Sequence, residues 1–275
     1  MRLRCWVALL LALLISAAGT VSAAPKGKIV IGISNEPTTF DPHVITGFPQ
    51  TVALTNVFDT LLFRKHDGTI IPHLAKSWRL VNPKVWEFKL RKGVKFTNGE
   101  PMDAAAVKFS MERVLDPKLK SRQFGYFRSV ARVEAVDRYT VRIHNKYPDM
   151  TLTSALTNYP VIVPPKYYKS HDLKYVARHP IGSGPYRLVK WSKGDRLVYE
   201  ANENYWKPGV PSIKNVVVKS ITEPTTRVAA LLAGDVSIVD NVPPPADSSG
   251  QVQPRPRCHR RAFPDCLLRE HDHQG

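Results

Sequence analysis

Six histidines are scattered through the body of the chain, at His43, His66, His73, His144, His171 and His179. Each is read as a surface or turn residue, because most lie beside Pro, Asp or Gly. Nucleophilic catalysis needs a nucleophile within reach of a base that is itself oriented by a third group. No G-x-S-x-G elbow and no H-E-x-x-H helix is present to supply one. Gly182-Ser183-Gly184 could in principle cradle a phosphate, but no helix follows it. Its expected role is to let the chain pass close to its neighbours. Near the end, Cys258, His259, Cys266, His271 and His273 are all potential zinc ligands. Structural zinc wants close ligand pairs, whereas seven residues separate the two cysteines. The expectation is therefore no metal, no cofactor and no enzyme.

The elements around these residues belong to an exported protein. Arg2 and Arg4 precede an apolar run over residues 5–18, and Val21-Ser22-Ala23-Ala24 offers small residues for cleavage. The run is shorter than the ~20 residues a membrane-crossing helix needs. Cys5 precedes the run, so it is not placed for lipid attachment. Between residue 24 and residue 242 there is no cysteine, which suits a protein that relies on packing rather than disulfides. The 275 residues carry a net charge of +17, from 40 Lys and Arg against 23 Asp and Glu. No block of like charge and no nucleic-acid-reading motif accompanies it, so the excess reads as a solvated surface.

Strands and helices alternate. Residues 28–34 (KIVIGIS) read as a buried strand. Leu54, Val57, Phe58 and Leu61 have the spacing of one helix face, which predicts a helix over 51–63. In VWEFKL, Trp86, Phe88 and Leu90 alternate with Val85, Glu87 and Lys89, so the aromatic side chains share one buried face. Asp103 can cap a helix that carries Val107, Met111 and Val114 and stops at Asp116-Pro117. Strands are expected at 130–136, 139–144, 186–191, 196–200, 213–221 and 236–239. Pro224 opens a helix with Val228, Leu231 and Leu232 on one face. The class is α/β, with a strand-rich section between about 70 and 160.

Four stretches, in this order, carry a resemblance to a known family. They are ISNEPTTFDPH (33–43), AKSWRLVNPKVWEFKLRKGVKFTNGEPMDAAAVKFSMERV (75–114), GSGPYRLVKWSKGDRLVYEANENYW (182–206) and PTTRVAALLAGDVSIVDNVPP (224–244). Together they resemble the family 5 solute-binding proteins, the peptide and nickel binders of ABC importers. The resemblance implies a class II periplasmic-binding-protein-like fold, in which two lobes close on a ligand like a hinge. After the signal peptide read above over 1–24, it implies a lobe-one α/β core from 25–70 and 161–245, and a β-rich inserted subdomain over 71–160. Only lobe one is expected here. Residues 246–275 fit neither a helical nor a strand period, and read as an out-of-frame or disordered tail. A frameshift near Ala246 or Asp247 is the expectation, checked by translating the DNA in the other two frames.

The resemblance also implies the ligand wall. Peptide binders of the family pair an extended ligand with protein strands. The matching loop positions are Thr46, Gly47 and Phe48, with Asn158 and Tyr159 on a second loop. The carboxylate that holds a peptide's amino end belongs to lobe two. The implied partners are a peptide or other small solute and an inner-membrane permease and ATPase complex, with no nucleic acid. The implied place is the periplasm. A lobe-one adaptor that docks a permease without binding solute is the alternative.

Overall fold

The structure, a computed structural model, describes residues 24–47 and 53–243. The expected signal peptide, Phe48 and the Cys/His-containing tail lie outside the described residues. Two sheets organise the rest. The first has five strands in the order β11-β1-β10-β9-β8: β1 (Lys26–Ile33), β8 (Tyr186–Ser192), β9 (Arg196–Ala201), β10 (Ile213–Ser220) and β11 (Ile238–Val239). Strand β1 runs parallel to both its neighbours, β10 and β11, while β10, β9 and β8 are antiparallel. The second sheet has four antiparallel strands in the order β4-β5-β7-β6: β4 (Ala75–Asn82), β5 (Val85–Leu90), β6 (Val130–Asp137) and β7 (Thr140–Asn145). All four come from the stretch of chain between β1 and β8. A small hairpin of β2 (Leu62–Arg64) and β3 (Ile70–Pro72) leads into it.

Each sheet buries one apolar face. Trp86, Phe88 and Leu90 of β5 face a core shared with Val141 and Ile143 of β7 and with helix α1 (Ala104–Leu115). That helix turns Val107, Met111 and Val114 inward. Asp103 caps it, accepting from the amides of Ala105 at 3.0 Å and Ala106 at 3.3 Å. Glu87 departs from simple alternation, being only 3% exposed. It lies between Arg79 of β4 and Arg142 of β7, at 2.9 and 2.8 Å, with Glu134 of β6 next in register. Opposite charges side by side across strands are favourable, and here they make an alternating ladder on the outer face.

Two sequence expectations differ from the structure. The segment expected as a helix over 51–63 has helical backbone only at residues 53–54, among those described. Beyond that its backbone is engaged by distant segments. The carbonyls of Asn56 and Val57 accept from Tyr186 and Gly184, that of Asp59 from Ile162, and those of Thr60 and Leu61 from Leu74 and Ala75. Leu54, Val57, Phe58 and Leu61 are all buried nonetheless. Leu54, Val57 and Phe58 sit on one short turn, where the amides of Val57 and Phe58 both donate to Leu54 O, and the chain leaves it as an irregular run through residue 61. Helices α2 (Leu152–Ala155), α3 (Pro165–Ser170) and α4 (Leu173–Val176) are short. In α5 (Pro224–Leu232) the buried side chain is Arg227, and Leu232 is 83% exposed. Arg227 donates to the carbonyls of Ile221, Thr222, Asp240 and Asn241, and a guanidinium with those partners turns its own face inward.

Candidate functional site

Asp59 is the one acidic residue in the apolar run VFDTLLF, and it is 3% exposed. The irregular run through residues 56–61 carries it to the place where three other segments meet. Its Oδ2 accepts from Ser183 Oγ at 3.0 Å and Trp206 Nε1 at 2.9 Å. Its Oδ1 accepts from Tyr205 OH at 3.0 Å and lies 3.4 Å from His73 Nε2. Burial outweighs these donors and raises the carboxyl to about 6. His73 is pushed down to about 4, first by burial and then by the nearby Lys207 and Arg91.

A serine, a histidine and an aspartate thus meet, but not as a relay. In a catalytic relay the imidazole stands between hydroxyl and carboxylate and takes the proton from the nucleophile. Here Ser183 donates straight to Asp59, and His73 approaches the same carboxylate. The arrangement ties segments together. Its tightness is set by Gly182 and Gly184. A Cβ on Gly182 would fall 2.0 Å from Val57 O, and one on Gly184 2.5 Å from Val57 C. No side chain fits that approach, which is the close passage expected of this motif.

One cavity borders this knot, and a second lies beyond it. The first, of about 480 Å³, is lined by Asp59, Phe63, His73, Arg91, Tyr205 and Trp206 among others. Arg91 stacks its guanidinium over the Trp206 ring at 4.7 Å. The second, of about 660 Å³, is polar, with Tyr126, Arg128, Ser129, Tyr147, Asp149 and Ser154 in its wall. Asn158 and Tyr159 line both. Tyr159 stacks on Tyr126 with ring centroids 5.4 Å apart.

The predicted wall residues are therefore split. Asn158 and Tyr159 stand together where the two cavities meet. Thr46 is half-buried and Gly47 is exposed with φ 129, a backbone conformation that favours glycine, but neither lines these two cavities. The reading of the histidines as surface or turn residues is corrected at two positions. His73 is largely enclosed, as above. His43 is fully buried with Nε2 2.8 Å from Val161 O, and burial pushes it to about 4. The others fit that reading better. His66 is exposed, His144 pairs with Glu134 at 2.7 Å, and His171 and His179 stack on Tyr175. Sequence reasoning missed Asp59, Tyr205 and Trp206. A lone carboxylate inside an apolar run was the available signal, since such a group must find buried donors.

The family described as "Bacterial extracellular solute-binding proteins, family 5 Middle" matches residues 69–258. The chain belongs to this family. It is a family of solute-binding proteins, not of enzymes. The nickel-binding periplasmic protein of Escherichia coli K12 is 33% identical over 233 residues, covering 84% of this chain and 44% of that protein. Among solved structures, the binding protein AgaA of A. tumefaciens R10 in complex with agropinic acid is 32% identical with a TM-score of 0.75. It covers 79% of this chain and 44% of its own. The oligopeptide-binding protein AppA of Bacillus subtilis, in complex with a nonapeptide, is 27% identical with a TM-score of 0.72. That match covers 78% of this chain and 44% of AppA. The family 5 chain described here spans about half the length of the relatives it matches.

Proposed function

We propose that this chain provides lobe one of a periplasmic solute-binding component of an ABC importer, serving a peptide or other small solute. Residues 25–70 and 161–245 form the lobe core in this reading, and 71–160 the inserted β-rich subdomain. Thr46, Gly47, Asn158 and Tyr159, with Phe48, belong to the solute-facing wall. The observation that carries the reading is the family match over residues 69–258. The stacked Tyr126 and Tyr159 beside Arg128 and Asn158 support it, since a small-solute site combines aromatic walls with a few oriented polar groups. Nickel, agropinic acid and a nonapeptide are bound by three relatives, so the class of solute is kept broad.

One experiment tests transport role and place together. The chain is expressed in its own host, fractionated, and photo-cross-linked from its surface. The expected result is recovery from the periplasm with an amino terminus at or near Ala24, cross-linked to an ABC permease. Retention in the cytoplasm, or no permease adduct, overturns the proposal. A second reading is a lobe that docks a permease without solute. A cross-link of equal yield with and without added solute singles that reading out.

A further inference from the structure

The loop over residues 42–47 is held by its backbone carbonyls, and the hands that hold it come from one short segment. Gln123 is 1% exposed, and its Nε2 donates to Pro42 O at 2.5 Å and to Ile45 O at 3.0 Å. Ser121 Oγ donates to His43 O at 2.5 Å and accepts from Gln123 N at 3.1 Å. At the root of the loop, Arg113 of α1 makes a two-pronged pair with Asp41, at 2.8 and 2.6 Å. Asp41 Oδ1 also accepts from the amide of His43. Three of the loop's carbonyls are thus turned toward residues 121–123. Both amide hydrogens of Gln123 are spent on carbonyls, and its Oε1 accepts nothing among the described residues. Among uncharged side chains of that reach, only an amide offers two hydrogens on one nitrogen.

The gripping segment runs on directly into the other wall. Three residues after Gln123 comes Tyr126, which lines the polar cavity and stacks on Tyr159. We infer that Gln123 and Ser121 are positioning residues that lock the 42–47 loop to the 121–127 segment. The proposed solute-facing loop and the Tyr126 side of the polar cavity then hold one fixed relative geometry before any solute arrives. Preforming a wall in this way removes ordering entropy from the binding step. The inference rests on the proposed reading of the 42–47 loop as part of the solute wall.

The test reads the loop itself, without solute, so it fails or succeeds independently of that reading. Backbone hydrogen exchange is measured on the purified 275-residue chain and on Gln123→Glu. The variant keeps the shape of the side chain but sets carboxylate oxygens against two carbonyls. The expected result is exchange over residues 41–47 faster by about tenfold or more, with the amides of β5 and β7 unchanged. Tyr205→Phe, which loses one bond to Asp59, is the control and leaves residues 41–47 at the wild-type rate. Unchanged exchange over 41–47 in Gln123→Glu overturns the inference. So does acceleration there that the control reproduces. Should Gln123→Glu not fold, Ser121→Ala removes one of the three carbonyl bonds, and a smaller local acceleration is expected. No acceleration in Ser121→Ala overturns the inference equally.

Discussion

Protons pull on this fold in opposite directions at three buried side chains. His43 and His73 have folded values near 4, below their ordinary 6.5, because burial disfavours the imidazolium. Their contribution to stability is fully present above pH 6.5 and is lost as pH falls toward 4. Asp59 is raised by burial from 3.8 to about 6, so its contribution has the other sign. That one is greatest below 3.8 and is lost as pH rises through 6. A displacement of one pH unit is worth about 1.4 kcal/mol, so two histidines outweigh one carboxylate. The melting temperature is therefore expected to fall between pH 7 and pH 4.5. In Asp59→Asn the opposing contribution is gone, and the fall should be steeper across the same window. An unchanged or shallower slope in the variant contradicts this assignment. At Gly184 the expectation is purely steric. Gly184→Ala drives a Cβ into the Val57 backbone and should cost about 3 kcal/mol in urea denaturation. A loss within experimental error would mean that the backbones at residues 57 and 184 are not in this close contact.

Helix α1 and the central run over residues 56–61 show what local sequence can and cannot announce. The helix has its start, its face and its stop written within fourteen residues, from the Asp103 cap to Asp116. Replacing Asp103 by Ala removes the acceptor for two amides and should cost about 1 kcal/mol, read from the urea midpoint. No change there would show that solvent satisfies those amides as well. The central run carries an equally good helical spacing, yet its carbonyls are taken by Ile162, Gly184 and Tyr186, more than a hundred residues away. Nothing nearby in the chain encodes those partners, so periodicity alone misreads it. The same reason hides the Asp59 knot, whose donors come from residues 183, 205 and 206. Helix α5 was legible as a helix but not in its facing, because the carbonyls that draw Arg227 inward belong to chain on either side of it. The β4–β5 and β6–β7 pairs of the second sheet were legible because each partner follows directly in sequence, whereas the β5–β7 pairing that joins them has no local signal. Asn158 and Tyr159 could be named only through family resemblance; no local pattern marks a pair of loop residues as a cavity rim.

At the scale of the whole chain, two sheets with two apolar cores are joined through the knot at Asp59, and the candidate solute wall lies across them. Ligand sites that hold small solutes bury most of the ligand surface. The described residues offer a wall of Asn158, Tyr159, Tyr126 and Arg128 beside an open polar cavity, and relatives in this family are about twice as long. In the proposed lobe-one reading these residues supply one wall of the site, and one wall alone gives neither full burial nor the polar contacts of an opposing face. The measurement that tests this directly is calorimetric titration of the purified 275-residue chain with nickel–histidine, an opine and short peptides. The account predicts no saturable heat tighter than roughly 100 μM for any of them. Stoichiometric binding at micromolar concentration by this chain alone would contradict it.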